Sequence, residues 1–250
     1  MQEITSLQNP RVQHIKKLKD KSYRRQYLQY VVEGENLVKD LPEFVLVKEV
    51  YVLKSRLDEY RYILKKYSED KVFVVDEKVM KALSETVSPS GILVLLDMQT
   101  NPLDLSGNIV VLDGISDPGN MGTIIRTSVA CGVKQIIAVN CVDYTSGKVI
   151  RASMGGIFKV NITELDYDDA LRYLENHTIY ALDMNGENIF KMSHIDRPFA
   201  LVVGSESRGL SEVFRHNSHI VSLPMIGDIE SLNAGVSLSA ALYYFVFGRV

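Results

Sequence analysis

Short apolar runs alternate with helix-period runs along nearly the whole chain, and that alternation restricts the fold to an α/β layer architecture. In the first hundred residues, strand-like runs fall at 44–53, 72–75 and 92–96, separated by helix-like runs at 56–67 and 77–85. Further on, strand-like runs fall at 109–112, 135–139, 178–182, 200–203 and 219–223, with helix-like runs at 121–131, 168–176, 212–217 and 232–247. Five short apolar strands separated by helices predict a mostly parallel sheet covered on both faces. Residues 99–107 are polar and rich in breakers. They predict a linker between a smaller domain over 1–98 and a second domain over 108–250.

Composition excludes several other classes. No apolar run reaches the ~18 to 20 residues that a membrane span needs. The N-terminal MQEITSLQNPRVQ holds no apolar segment of signal type, so a reduced, cytoplasmic setting is expected. Cys131 and Cys141 stand at no metal or redox spacing. His216 and His219 lack a converging ligand set, and His14, His177 and His194 are isolated, so no metal site is expected. The phosphate-binding loop, the dinucleotide fingerprint and the nucleophile elbow are all missing.

Charge is uneven along the chain. The net of −3 divides into 17 basic against 15 acidic residues over 1–100, and 11 against 16 over 101–250. Within 11–25, Arg11, Lys16, Lys17, Lys19, Lys21, Arg24 and Arg25 are opposed only by Asp20. Asn9 and Pro10 form a helix start, and Val12, Ile15 and Leu18 recur at helical spacing, which predicts one amphipathic basic helix. Clustered cations mark a polyanion surface, although a solvated helix face has the same pattern. Tyr23, Tyr27 and Tyr30 are interleaved with the arginines. They suit stacking on unpaired bases and core packing equally well, with Tyr30 reading as core.

Ligands of open α/β sheets gather at the carboxyl ends of strands. Three such ends carry Gly-rich polar loops: 113–122, leading into a helix with Arg126; 204–209; and 224–233, opening the last helix. Together they describe one crevice lined by Asn120, Arg126, Glu206, Ser231 and Asn233. Each residue has a plainer reading. A lone arginine on a helix is usually a surface charge, Asn120 and Ser231 read as helix N-caps, and Glu206 could complement a helix N-terminus.

The segments DGISDPGNMGTIIRTSVACGV (113–133), LVVGSESRGLS (201–211) and LPMIGDIESLNAGVSLSAALYYF (223–245) resemble, in order and spacing, the three motifs of the SpoU (TrmH-like) ribose 2′-O-methyltransferases of the SPOUT superfamily. ITSLQNPRVQHIKKLKDK (4–21) and YVVEGENLVKDL (30–41) resemble that family's RNA-substrate domain. The resemblance implies an α/β fold with a C-terminal trefoil-knotted methyltransferase domain and a smaller L30e-like N-terminal domain. It implies a homodimer that uses S-adenosylmethionine and no metal. Arg126, Glu206, Ser231 and Asn233, with Asn120 supporting Arg126, match the family's catalytic set. Gly204, Leu223, Met225, Leu232 and Leu182 match its cofactor contacts. Arg11, Lys16, Lys17, Lys19, Arg24 and Arg25 become the expected RNA-binding residues. Ala234-Gly235-Val236 departs from the family's usual sequence after Asn233, and Gly235 would alter helix packing there.

The expected function is methyl transfer to a ribose 2′-OH, of ribosomal RNA before transfer RNA. A non-catalytic RNA-binding assembly factor and a base methyltransferase are the rivals. A guanidinium with a pKa above ~12 is a poor base. Arg126 is therefore expected to grip a phosphate and polarise the hydroxyl, while Ser231, Asn233 and Glu206 order the site.

Overall fold

The computed structural model describes residues 1–99 and 102–248. Thr100 and Asn101 of the expected linker, and the last two residues of the expected second domain, lie outside the described residues. Contacts divide the chain into two units: Met1–Thr100 with Thr145–Arg151, and Asn101–Tyr144 with Ala152–Val250. The first thus contains a short segment from early in the second half of the sequence.

In the first unit the elements run β1 (Gln2–Ile4), α1 (Pro10–Lys17), α2 (Lys21–Tyr27), β2 (Gln29–Glu33), α3 (Glu35–Lys39), β3 (Val47–Leu53), α4 (Arg61–Leu64), β4 (Val72–Val75), α5 (Glu77–Leu83) and β5 (Ile92–Asp97). The sheet order is β1-β4-β3-β5-β2. β4 is parallel to β1 and β3, and β5 is antiparallel to β3 and β2. Ile4, Val12, Ile15, Tyr51, Phe73, Val75, Val79 and Leu93 bury one face of it.

The basic segment forms two helices, not one. Asn9 caps α1, its side chain accepting from the Arg11 N–H, with Pro10 at the first position. Asp20 then starts α2, its carboxylate accepting from the Ser22 and Tyr23 N–H groups at 2.8 and 3.2 Å. A strong N-cap inside the basic run ends the apolar periodicity that predicted a single helix. The helix expected over 56–67 is reduced to a 3-10 turn and the four residues of α4.

The second-half elements are β6 (Ile109–Asp113), α6 (Pro118–Ala130), β7 (Gln135–Val139), α7 (Gly147–Ala152), β8 (Asn161–Glu164), α8 (Tyr167–Tyr173), β9 (Thr178–Asn188), β10 (Phe199–Gly204), α9 (Glu212–His216), β11 (His219–Ser222) and α10 (Ala234–Phe247). Six strands, ordered β11-β9-β10-β6-β7-β8, pair in parallel throughout. β8, NITE, is a strand that the apolar pattern missed, as it missed β1 and β2 in the first unit. It is a half-polar edge strand paired to β7. Ile109, Val111, Ile137, Val139, Val202, Leu210 and Phe214 fill the core on one face.

Two irregularities shape the carboxyl ends. β9 outruns its predicted end, and its register with β11 jumps from Ala181↔Ile220 to Glu187↔Val221. Its ladder with β10 ends at Leu182–Val203. Residues 183–186 therefore leave the ladder. After β10 the backbone folds back at once. The Gly209 N–H donates to Ser205 O at 2.8 Å, and Gly209 takes φ +66°. A Cβ on Gly204 would lie 2.3 Å from the Gly209 carbonyl, so only glycine admits this turn.

Candidate functional site

The three loops meet through one carboxylate oxygen. Oε1 of Glu206 accepts from Asn120 Nδ2 at 2.7 Å, from Asn233 Nδ2 at 2.7 Å and from the Ala234 N–H at 3.4 Å. Each donor is fixed by its own helix start. Asp117 caps α6 and accepts from the Asn120 N–H at 2.8 Å, which leaves the Asn120 amide pointing at Glu206. Asn233 caps α10, its Oδ1 accepting from the Val236 N–H at 3.2 Å while its Nδ2 serves Glu206. The plainer N-cap readings of Asn120 and Ser231 are thus corrected: Asp117 and Asn233 hold those positions. Asn120 is buried and Glu206 is exposed. The charge keeps its hydration while two amides order it.

Gly235 has a local reason. A Cβ there would lie 3.3 Å from Asn233 Oδ1, 3.4 Å from Asn120 Oδ1 and 3.4 Å from Thr123 Cβ. Glycine lets the first turn of α10 approach α6, and Thr127 Oγ1 and Ser239 Oγ hydrogen-bond at 2.7 Å farther along the same pair. Asp113, which opens the first motif, is structural. Its carboxylate accepts from Tyr167 Oη at 3.0 Å and from the Ser211 N–H at 2.6 Å, tying β6 to the start of α9.

Glu206 and Ser205 form a wall common to two cavities. The larger, 330 Å³, takes in Leu182, Gly204, Leu223, Met225, Leu232 and Ser231. All five residues expected to contact a cofactor therefore line one space. Asp183 and Asn185 from the β9 excursion, with Val203 and Arg215, also line it. Burial pushes the Asp183 carboxyl up, but the Asn185 N–H and the Arg215 guanidinium, 2.8 Å away, outweigh it and hold the group below its ordinary value. The smaller cavity, 130 Å³, is polar, with Ser116, Asp117, Asn120 and Ser207 around Glu206. Sequence reasoning missed Asp183 and Asn185, because nothing in the local pattern announces that β9 leaves its ladder.

Arg126 stands apart from this cluster. It lies nearly two turns beyond Asn120 on α6, is exposed, and forms no hydrogen bond or ion pair among the described residues. Burial pushes both thiols up, Cys141 to about 11, so neither is a ready nucleophile. Among the described residues no group of three metal-ligating side chains converges.

The expected RNA-binding cations divide by what they touch. Arg24 is a correction: it is 5% exposed, and its Nη1 donates to Leu18 O and Lys19 O at 2.7 and 2.9 Å, its Nε to Thr145 Oγ1 at 3.2 Å. Arg11 pairs with Glu49 and lies over the Phe73 ring. Lys19 donates to Ala82 O and Ser84 O at 3.0 and 2.7 Å. Lys16, Lys17 and Arg25 are exposed.

Comparison with known proteins decides the family. The description "SpoU rRNA Methylase family" matches residues 107–243, which hold all three loops. The chain belongs to the SpoU rRNA methylase family. An MRM3-like substrate binding domain matches residues 9–94. Among SpoU relatives, the Bacillus subtilis 23S rRNA (guanosine(2553)-2′-O)-methyltransferase RlmP is 28% identical over 98% of this chain and 99% of its own length. A Neisseria meningitidis 23S rRNA (guanosine-2′-O-)-methyltransferase RlmB is 29% identical over 78% of this chain and 85% of its own. The crystal structure of an AdoMet-bound rRNA methyltransferase from Sinorhizobium meliloti superposes with a TM-score of 0.84. It is 27% identical and covers 97% of this chain and 96% of that one.

Proposed function

We propose that this chain transfers a methyl group from S-adenosylmethionine to a ribose 2′-OH of ribosomal RNA. The observation that carries the reading is the three-loop junction at Glu206 on the rim of the 330 Å³ cavity. Its family and its end-to-end likeness to a 23S rRNA 2′-O-methyltransferase support it. The cavity suits the cofactor in size and chemistry. It falls in the range of small-molecule sites, about 300–1,000 Å³. Leu182, Leu223, Met225 and Leu232 offer apolar surface, and Asp183, Asn185 and Ser231 offer polar groups to an amino-acid and ribose portion.

Bound there, S-adenosylmethionine supplies an activated methyl on a sulfonium. The protein's task is to position the acceptor hydroxyl and ease its proton away. In this reading the acceptor ribose enters the polar cavity beside Glu206, where Ser116, Asn120 and Ser207 offer hydrogen bonds. Glu206 holds Asn120 and Asn233 in place. Arg126, always charged and without a partner among the described residues, grips a neighbouring phosphate and polarises the hydroxyl.

The same reading makes residues 1–98 an L30e-like RNA-binding domain and 108–250 a trefoil-knotted catalytic domain, in a cytoplasmic protein. It pairs two copies through the knotted domain. The exposed stripe of Val236, Tyr243 and Phe247 along α10 supports that pairing. Among the described residues no helix is long and apolar enough to cross a membrane.

The test is label transfer from methyl-labelled S-adenosylmethionine to ribosomal and transfer RNA, each taken from cells lacking the protein. Label in ribosomal RNA supports the reading, and label confined to transfer RNA moves the substrate.

A further inference from the structure

Three rings form a continuous patch where α1 meets α2. Tyr23 and Tyr27, one turn apart on α2, have centroids 4.3 Å apart and planes inclined by 34°. The His14 ring of α1 meets Tyr27 edge-on at 5.0 Å and Tyr23 at 5.4 Å. Lys17 Nζ lies 5.7 Å from the centre of the Tyr23 ring. Yet Tyr27 is 45% exposed. A tyrosine that served only to pack would bury more of its ring.

A chain of hydrogen bonds fixes the patch from beneath. Gln29 Nε2 donates to Asp97 Oδ1 at 2.9 Å, which leaves Gln29 Oε1 to accept from His14 Nε2 at 2.7 Å. Neutral His14 then carries its proton on Nε2, and its Nδ1 accepts from the Tyr23 hydroxyl at 3.0 Å. Two rings are locked by polar partners, and Tyr27 packs against both while staying exposed. Lys17, at the Tyr23 ring, is exposed, and Lys16 and Arg25 are exposed elsewhere on the same two helices. An aromatic surface ordered before binding, with the Lys17 ammonium against it, matches an unpaired nucleotide, whose base offers a π face and whose phosphate offers charge.

We propose that Tyr27, held by Tyr23 and His14, is a stacking platform for an unpaired base of the RNA substrate. The proposal rests on the RNA-methyltransferase reading for its partner class. It adds that the first unit grips a single-stranded element beside its phosphate contacts. Duplex RNA buries its base faces within its own stack, so the platform discriminates against it.

The experiment uses the full chain as wild type, Tyr27→Ala and Tyr27→Phe, with circular dichroism to show that each is folded. Binding of a short oligoadenylate and of an RNA duplex of equal length is titrated over a range of salt. Tyr27→Ala should lose about tenfold in affinity for the oligoadenylate. Its salt slope and its duplex affinity should stay at wild-type values. Tyr27→Phe, which keeps the ring, should bind as wild type does. Oligoadenylate binding unchanged in Tyr27→Ala would overturn the platform, as would an equal loss in Tyr27→Phe or an equal loss on the duplex. Methyl transfer to ribosomal RNA is read on the same wild-type preparation. Transfer together with an inert Tyr27→Ala would refute the platform alone, whereas absence of both transfer and RNA binding would remove the underlying reading as well.

Discussion

Glu206 and Arg24 are opposite uses of charge in one chain. Glu206 is exposed, yet one of its oxygens collects three donors from two distant helix starts. Arg24 is buried, and it donates to two backbone carbonyls and a threonine hydroxyl. In the proposed function, that exposed charge is ordered for a substrate that arrives from outside. A buried charge bonded to backbone belongs to the fold, and removing it leaves its acceptors unpaired. Exposure together with partner type separates the two cases, and charge alone does not.

The contrast is breakable by mutation. The largest expected effect on stability is Arg24→Ala, which should cost about 3 kcal/mol by breaking a buried network, read as a lowered urea midpoint. A loss below about 0.5 kcal/mol would place Arg24 with the surface cations after all. Glu206→Ala should behave the other way. Turnover should fall about a hundredfold through misplacement of Asn120 and Asn233, with the unfolding midpoint almost unmoved. Gly204→Ala tests whether the turn after β10 is itself a structural requirement. With a Cβ 2.3 Å from the Gly209 carbonyl, it should lose about 1–3 kcal/mol and weaken cofactor binding with it.

Two smaller effects sharpen the comparison. Lys16→Ala should leave stability alone and reduce the salt slope of RNA binding by about 1, the mark of a phosphate contact. Arg215→Met removes the cation that helps to hold the Asp183 carboxyl low. A depressed carboxyl contributes stability above its unfolded pKa, near ~3.9, and loses it as pH falls through the lower folded value. The variant should therefore lose less than about 1 kcal/mol at pH 7 and show a shallower acid unfolding profile.

Much of this was legible in the residues, for identifiable reasons. Apolar runs such as 72–75 and 135–139 became strands with the expected bounds, because both their faces are covered. The junction of Asn120, Glu206 and Asn233 was readable because parallel strands place their following loops on one edge, whereas Arg126, expected with them, stands apart. Three features were not legible. Asp20 breaks the basic segment through a capping bond that competes with periodicity. β9 leaves its ladder over 183–186, a matter of pairing register that no local pattern encodes. Arg24 looked like its neighbours, since which cation faces inward depends on the carbonyls that tertiary structure brings to it.

The most direct test of the central claim is the chemical position of the transferred methyl. RNA from cells lacking the protein is incubated with methyl-labelled S-adenosylmethionine and wild type, Glu206→Ala or Arg126→Ala, then digested to nucleosides. Label in a 2′-O-methyl nucleoside, strongly reduced in both variants, is the predicted result. Label on a base, or no label from a wild type that binds the cofactor, would contradict the account.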